Sequence, residues 1–147
     1  MSDDERASGD ARRAVVSREH RRLDELFSEV EASFAAHADP DAVRDAFAAL
    51  CEQLDVHFEQ EDRLYYATVG TLRPELAPQI RSISDAHRSF RSEIGAIRDL
   101  LERTELPAAR QRISALVEAF RRHEAMEETL LERIEATIQQ VPVGGPR

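Results

Sequence analysis

Four segments of this chain space their apolar residues alternately three and four positions apart, which is the period of an amphipathic α-helix. Short stretches rich in Asp, Pro, Gly or Thr separate the segments, near residues 37–40, 70–74 and 104–107. At the first of these, Asp39 is placed to be the N-cap of the second helix and Pro40 to lie in its first turn. Four amphipathic helices joined by short connections predict an all-α fold, an up-down-up-down antiparallel four-helix bundle.

The chain is long enough for one domain with one core. Its 147 residues can bury a sizeable apolar interior without the help of disulfides. We expect this domain to span residues 13–140, between a flexible polar N-terminal tail over residues 1–12 and a flexible C-terminal tail over residues 141–147.

Charge and composition restrict the partners. A formal net charge of -9 argues against nucleic acid and against anionic membrane surfaces, which would repel the chain at long range. The single cysteine, Cys51, cannot form an internal disulfide, which fits a reducing compartment. No apolar stretch approaches the roughly 18 residues that span a bilayer, and the acidic N-terminus has no signal-peptide core. We therefore expect a soluble cytoplasmic protein.

Polar residues interrupt the apolar stripes at positions that a bundle would bury. One histidine lies in the stripe of each helix, and a glutamate follows two of them by four residues. The six are His20, His57, Glu61, His87, His123 and Glu127. Burying an ionised carboxylate costs several kcal/mol unless a cation or a strong donor meets it. Because residues four apart share a helix face, each His-Glu pair can reach one metal cluster.

Counting along the chain places these residues at similar depths. His20 and His57 each lie about 17 residues, or about 26 Å of helix, from the first turn, and His87 and His123 lie similarly far from the third turn. Antiparallel neighbours therefore bring each pair level. Glu61 is nearer to the middle turn than His87 is, so we expect a few residues of unwound chain to absorb the offset.

The ligand chemistry indicates metal ions of intermediate softness. Imidazole and carboxylate together suit iron, zinc, manganese or cobalt, and six ligands exceed what one tetrahedral zinc uses. Two metal ions, with each glutamate placed to bridge them, are the prediction. The alternative is a polar core with a purely structural role, including a degenerate site that no longer binds metal.

The order of these residues resembles the hemerythrin family, in its HHE cation-binding branch. The motif is His20, then His57-Phe58-Glu59-Gln60-Glu61, then His87, then His123-Glu124-Ala125-Met126-Glu127, within a match over roughly residues 16–138. The resemblance implies two non-haem iron ions bridged by Glu61, Glu127 and a solvent-derived oxo or hydroxo group. It also implies that the four histidines are terminal ligands and that the centre performs dioxygen chemistry.

The sequence departs from the oxygen-carrying hemerythrins at two places. Arg91 stands where they have a second histidine in the third helix, and Glu127 and Glu128 stand four and five residues after His123, where they have an aspartate at five. Fewer protein ligands leave more open metal positions, which favours solvent, peroxide or nitric oxide entering over stable reversible oxygen carriage.

Three functions follow. The first is binding of dioxygen or a related small ligand, for oxygen binding, sensing or scavenging. The second is an enzyme that removes peroxide or nitric oxide under oxidative or nitrosative stress. The third is an iron-responsive interaction module or encapsulated cargo, whose tail over residues 141–147 docks to another protein. We expect a monomer or a homodimer.

Residues around the stripes have weaker assignments. Tyr65 is placed to donate a hydrogen bond to a ligating carboxylate, and Arg91 to bring positive charge toward the site if it turns inward. Four side chains in register with the motif can line a dry pocket, namely Phe58, Phe90, Phe120 and Met126. His37, in the polar first turn, is excluded from the site.

Overall fold

The computed structural model describes the backbone of residues 3–35 and 38–140, and side chains over 18–35, 38–63 and 66–134. This part of the chain is helical, without a strand. Its elements are α1 (Asp3–Ser33), α2 (Pro40–Gln60), a π-helical segment (Glu61–Tyr66), α3 (Ala67–Leu72), a 3-10 turn (Pro74–Leu76), α4 (Ala77–Glu102) and α5 (Leu106–Gln140). Because α2, the π-helical segment and α3 are continuous, four long helical rods form a bundle over the described residues, as predicted.

The rods pack in a closed order. α1 contacts α2 and α5, and α4 contacts α2 and α5. The predicted stripes are buried where their side chains are described, except that Leu76 and Ile80 are only partly buried. The members least exposed are Leu23, Val30, Val43, Leu50, Leu54, Ile83, Ile97, Ile113 and Phe120. Cys51, at 3 % exposure, packs in the same core. None of the helices in the described ranges has the length and apolar character needed to cross a membrane.

Local chemistry sets the helix ends. The Asp39 carboxylate accepts a hydrogen bond from the Asp41 backbone N–H at 3.0 Å, which is the predicted N-cap of α2. Between α4 and α5, Thr104 adopts a left-handed conformation with φ of 58°. The Arg44 guanidinium donates to the Leu101 carbonyl at 3.0 Å and to the Thr104 hydroxyl at 2.8 Å, so this side chain ties α2 to the third turn.

The N-terminal stretch is helical where it is described. α1 begins at Asp3, so the helix extends over residues 3–12, which we expected to be a flexible tail. This stretch is rich in Ala, Arg, Asp and Glu, and the Ala, Arg and Glu residues among them are good helix formers, so helix is compatible with its composition. Residues 141–147 and His37 lie outside the described residues.

A band of polar residues separates two apolar clusters in the core. The larger cluster includes Leu23, Phe58 and Phe120, and the smaller one includes Ile83 and Leu130. The six polar residues of the stripes lie between these clusters along the bundle. Apolar side chains therefore lie on both sides of the band and limit the access of water to it.

Candidate metal centre

The structure brings all six stripe residues into one buried band. None of them is more than 7 % exposed. They form two groups of four, in each of which one ligand atom per residue lies within 4.8 Å of the others. The groups are His20, His57, Glu61 and Glu127, and Glu61, His87, His123 and Glu127. The two carboxylates therefore belong to both groups, and each group adds two histidines.

The second group is the tighter of the two. The Nε2 atom of His87 lies 3.0 Å from Nε2 of His123, 3.2 Å from Oε1 of Glu127 and 3.5 Å from Oε2 of Glu61. The Nε2 atom of His123 also contacts Oε1 of Glu127. Two imidazole nitrogens and two carboxylates thus approach one point between α2, α4 and α5.

The first group lies on the α1 side of the same carboxylates. The Nε2 atom of His57 contacts Oε1 of Glu61, and Nε2 of His20 lies 3.8 Å from Oε2 of Glu127. The two imidazole rings meet edge to face, with centroids 5.3 Å apart. This group is more open than the second because His20 stands back from the carboxylates.

Several of these buried atoms lack the partners that buried polar atoms normally have. Both ring nitrogens of His20, both carboxylate oxygens of Glu61 and Nδ1 of His123 have no hydrogen-bond partner within the described part of the chain. Imidazole nitrogen and carboxylate oxygen are ligand types that iron and its first-row neighbours accept. The donor set therefore fits a metal centre, and a cation between the two groups would satisfy the Glu61 oxygens and Nε2 of His20.

The electrostatics of the metal-free site show its affinity for positive charge. Burial and the Glu127 carboxylate raise the pKa of Glu61, so Glu61 retains a proton. Burial alone would raise the pKa of Glu127, but the imidazoles of His123, His20 and His87 hold it well below its usual range. Burial would likewise lower the pKa of His20, yet the carboxylates of Glu127, Glu124 and Glu61 raise it to about 9. These shifts all follow from one cause, the need of the buried carboxylates for positive charge nearby.

Comparison with known proteins agrees with this geometry. The family model for the hemerythrin HHE cation binding domain matches residues 12–134, which is most of the chain. The chain belongs to this hemerythrin family. The resemblance inferred from the sequence motif is thereby confirmed. A search of curated proteins and a search of solved structures each found no significant match.

Two further carboxylates contact the histidines of the hemerythrin domain from outside the band. Oε2 of Glu19 lies 3.0 Å from Nδ1 of His57, and Oδ1 of Asp62 lies 3.0 Å from Nδ1 of His87. The Ser84 hydroxyl donates to the same Asp62 oxygen at 3.0 Å. Sequence reasoning missed both carboxylates. The available signal was weak: each is the sequence neighbour of a stripe residue, a position that a regular helix turns away by about 100°.

Glu124 is a third carboxylate that sequence reasoning missed. It is only 8 % exposed, and its Oε1 has no hydrogen-bond partner among the residues whose side chains are described. Burial raises the pKa of Glu124 to about 7, against the opposing charges of His20 and His57. Val117, seven residues earlier, is also buried, so a broader definition of the α5 stripe would have included Glu124.

The neighbouring acidic positions in α5 have opposite environments. Glu127 is buried in the band, whereas the side chain of Glu128 is 62 % exposed and its Oε1 lies 3.7 Å from Nδ1 of His20. Glu127 is thus the carboxylate that faces the other ligand atoms. The glutamate four residues after His123 is therefore the one inside the band, and the glutamate five residues after it lies outside.

Arg91 does not enter the band. Its side chain is 42 % exposed, and its guanidinium lies 4.0 Å from Oδ2 of Asp62, 3.8 Å from Oδ1 of Asp55 and 5.6 Å from the ring centroid of Phe58. It therefore touches a carboxylate that holds His87 and touches none of the six residues directly in these interactions. The side chain of Tyr65, the other weak assignment, lies outside the described residues.

Aromatic rings cover one side of the second group. The Phe58 ring stacks on the imidazole of His87 at a centroid distance of 4.4 Å, and Phe90 meets His123 edge to face at 5.2 Å. Phe120 lies 6.3 Å from His123. Met126 is 44 % exposed, so the expectation that it lines the dry pocket is wrong: it lies one residue before Glu127, on the outer face of α5.

Proposed function

We propose that this hemerythrin domain holds two iron ions and uses them to bind dioxygen or a related small ligand. In this proposal His20 and His57 bind one ion, His87 and His123 bind the other, and Glu61 and Glu127 bridge the two with a solvent-derived oxo or hydroxo group. The supporting observation is that two four-residue donor groups share the same two carboxylates. Carboxylates shared between two histidine pairs could bind two neighbouring metal ions at once, as a two-metal site needs.

The number of protein ligands supports small-ligand binding. Each group offers four residues, which is fewer than the six positions of an octahedral iron, so positions remain for an exogenous ligand. Iron bound there would supply a change of oxidation state and an open coordination position. The chain itself contributes the apolar surroundings: Phe58, Phe90 and Phe120 exclude water from one side of the second group.

A specific observation also favours a second function, the removal of peroxide or nitric oxide. Arg91 occupies the position of the additional histidine of oxygen-carrying hemerythrins, and its guanidinium contacts Asp55 and Asp62 outside the band. The second group therefore has no third imidazole from this position, and the metal there would keep one more open site. The third hypothesis, an iron-responsive module or encapsulated cargo, stays a prediction because residues 141–147 lie outside the described part of the chain.

We also propose that the four rods run up-down-up-down. Contacts between α1 and α5 pair His20 with Glu127 and Phe27 with Phe120, so the numbering falls along one rod as it rises along the other. Between α2 and α4, Arg44 reaches Leu101 while Asp62 reaches His87. These pairings support antiparallel neighbours.

The deciding experiment is metal analysis of protein produced in iron-sufficient cells, combined with absorption spectra recorded before and after admission of air. The proposal expects about two irons per chain and an iron charge-transfer band that responds to oxygen. Zinc alone, or no metal after anaerobic reconstitution with ferrous iron, would overturn it.

Assays of turnover separate the two leading functions. The iron-loaded protein is given hydrogen peroxide, or nitric oxide under anaerobic conditions, and the loss of each substrate is measured over many equivalents. Sustained consumption favours the enzyme, whereas stoichiometric binding without turnover favours the ligand-binding protein. A preparation reconstituted with zinc is the matched control, because zinc has no redox chemistry.

A further inference from the structure

In each donor group, one histidine is already held from behind by a carboxylate. The Nδ1 atom of His57 lies 3.0 Å from Oε2 of Glu19, and Nδ1 of His87 lies 3.0 Å from Oδ1 of Asp62. An ionised carboxylate only accepts hydrogen bonds, so each Nδ1 donates and carries the hydrogen. A metal binds the neutral ring, and in that form the Nε2 atom is left with its lone pair.

These Nε2 atoms face the shared carboxylates. The Nε2 atom of His57 contacts Glu61, and Nε2 of His87 lies within 3.5 Å of both Glu61 and Glu127. We infer that Glu19 and Asp62 are positioning residues that fix His57 and His87 with Nδ1 protonated and Nε2 directed at the metal. This inference rests on the proposed metal-binding function and adds two residues to it.

Asp62 is itself held in place. The Ser84 hydroxyl donates to Oδ1 at 3.0 Å, and the Arg91 guanidinium lies 4.0 Å from Oδ2. Arg91 is anchored in turn by Asp55 at 3.8 Å and by the face of the Phe58 ring. Oδ1 of Asp62 accepts from the Ser84 hydroxyl as well as from His87, and Oδ2 lies near Arg91. These α4 neighbours restrict the rotation of the carboxylate.

The π-helical segment explains how two consecutive acidic residues serve the same site. Glu61 faces the shared centre and Asp62 faces the back of His87. In a regular α-helix, consecutive side chains diverge by about 100°. The π-helical segment begins at Glu61, and its wider turn accommodates an extra residue without ending the helix. Wide turns of this kind are frequent at functional sites.

The other two histidines lack an equivalent support. Within the described ranges, Nδ1 of His20 and Nδ1 of His123 have no hydrogen-bond partner, and the carboxylate of Glu128, 3.7 Å from His20, is largely exposed. One imidazole of each group is therefore fixed and the other is not. The α2 and α4 side of the centre is preorganised, while His20 and His123 on α1 and α5 adjust to the metal.

The first test measures zinc affinity of the full chain by competition with a chelator. Mutating the hydrogen-bond partner behind a metal-binding histidine typically weakens metal binding about 10–100-fold, and we expect this for D62N and for E19Q, which replace the anionic acceptor with a neutral, weaker one. The matched control for D62N is D55N, because Asp55 is the other carboxylate beside Arg91 and does not contact His87 in these interactions. E29Q, an exposed position on α1, is the control for E19Q. Both controls should bind zinc as the parent chain does.

The second test reads the nitrogen atoms directly, without a variant. Nitrogen-15 NMR of zinc-loaded protein with labelled histidine should show a protonated Nδ1 and a zinc-bound Nε2 for His57 and His87. Zinc bound through Nδ1 of either ring would overturn the inference, even if D62N or E19Q failed to fold.

The outcomes separate this inference from the proposed function. If the parent chain binds two metal ions while D62N and E19Q keep its affinity, the positioning role is wrong and the metal centre stands. If the parent chain takes up neither zinc nor iron, the metal centre is wrong and the positioning role falls with it.

Discussion

At the scale of single residues, the helix period separates neighbours that are chemically identical. Glu127 and Glu128 are adjacent glutamates, yet the side chain of one is 1 % exposed and that of the other is 62 % exposed. Glu127 contacts three imidazoles and belongs to both donor groups, whereas Glu128 approaches only Nδ1 of His20 and belongs to neither. The pair therefore offers a ligand variant and a control with the same change of charge and volume.

Replacing the shared carboxylate should remove metal binding from both groups. Mutating a residue that only supports a metal ligand typically lowers metal affinity about 10–100-fold. Glu127 is itself a proposed ligand of both metals, so Glu127→Gln should lower the affinity by more than that. Glu128→Gln should keep the affinity of the parent chain. Elemental analysis and chelator competition on both variants measure the difference. Retention of two metals per chain by Glu127→Gln would contradict the assignment of Glu127.

Glu124 should destabilise the metal-free protein as pH rises. Its pKa in the folded chain is raised to about 7 by burial, above its ordinary value of 4.5, so protonation favours the fold. The penalty of the ionised carboxylate is absent at pH below 4.5 and is complete above about pH 7. Glu124→Gln, which cannot ionise, should therefore raise the free energy of unfolding by about 1–2 kcal/mol at pH above 7.

Urea denaturation of chelator-treated protein at several pH values measures this effect. The exposed Glu132→Gln on the same helix is the control, and its unfolding free energy should follow that of the parent chain. Equal shifts for the two variants, or a Glu124→Gln gain that is already complete at acidic pH, would contradict the buried ionisation.

At the scale of elements, the π-helical segment after α2 is the feature that could not be predicted from the sequence. We expected unwound chain to compensate for the different distances of Glu61 and His87 from the middle turn. The rod instead continues to Leu72 through a π-helical segment, which adds a residue and keeps a helical backbone. A π-helical turn has no simple residue signature, and tertiary packing decides where it forms.

Sequence periodicity predicts one part of the site, and tertiary packing decides the rest. His57, Glu61, His123 and Glu127 follow a three-four period, so their burial could be read from spacing alone. The contacts of Asp62 and Glu19 with imidazoles depend on local winding and on the neighbouring rod, which a period does not encode. Similarly, the N-cap at Asp39 is local chemistry and was predicted, whereas the start of α1 at Asp3 was not.

Arg44 should matter to the stability of the bundle and not to the metal centre. Its guanidinium joins α2 to the Leu101 carbonyl and the Thr104 hydroxyl at the end far from the polar band. Arg44→Met keeps the apolar stem and removes these two hydrogen bonds together with the exposed one to Asp41, which should lower the free energy of unfolding by about 1–2 kcal/mol. Urea denaturation measures the loss, with the exposed Arg81→Met as control. Unchanged stability, or weakened metal binding, would contradict this role.

At the scale of the whole molecule, the buried band couples metal binding to folding. The two donor groups each draw residues from three rods and together from all four, so metals bound in both would join α1, α2, α4 and α5. Any ligand that binds only the folded chain stabilises it, by about 2.7 kcal/mol at 100 times its dissociation constant. Zinc or ferrous iron should thus raise the melting temperature, and a chelator should reverse the shift. Glu127→Gln should show little of this effect.

Metal binding should also release protons, because a metal binds only the deprotonated forms of residues that are protonated in the chelator-treated protein. The raised pKa of His20, about 9, keeps its imidazole protonated near neutral pH, and Glu61 is protonated as well. A metal must displace both protons, so its apparent affinity should rise with pH through about pH 9, where His20 becomes neutral, and level off only once Glu61, whose pKa is raised to about 10, is ionised as well.

Calorimetric titration with zinc, in buffers that differ in ionisation enthalpy, counts the protons released. Near neutral pH more than one proton should leave per chain, since His20 and Glu61 both lose theirs when the centre is filled. Glu61→Gln removes one of these protons together with one bridge, so its proton release should fall along with its affinity. If the parent chain released no protons, His20 and Glu61 could not be protonated before the metal binds. The proposed exchange of protons for metal at the buried carboxylates would then be wrong.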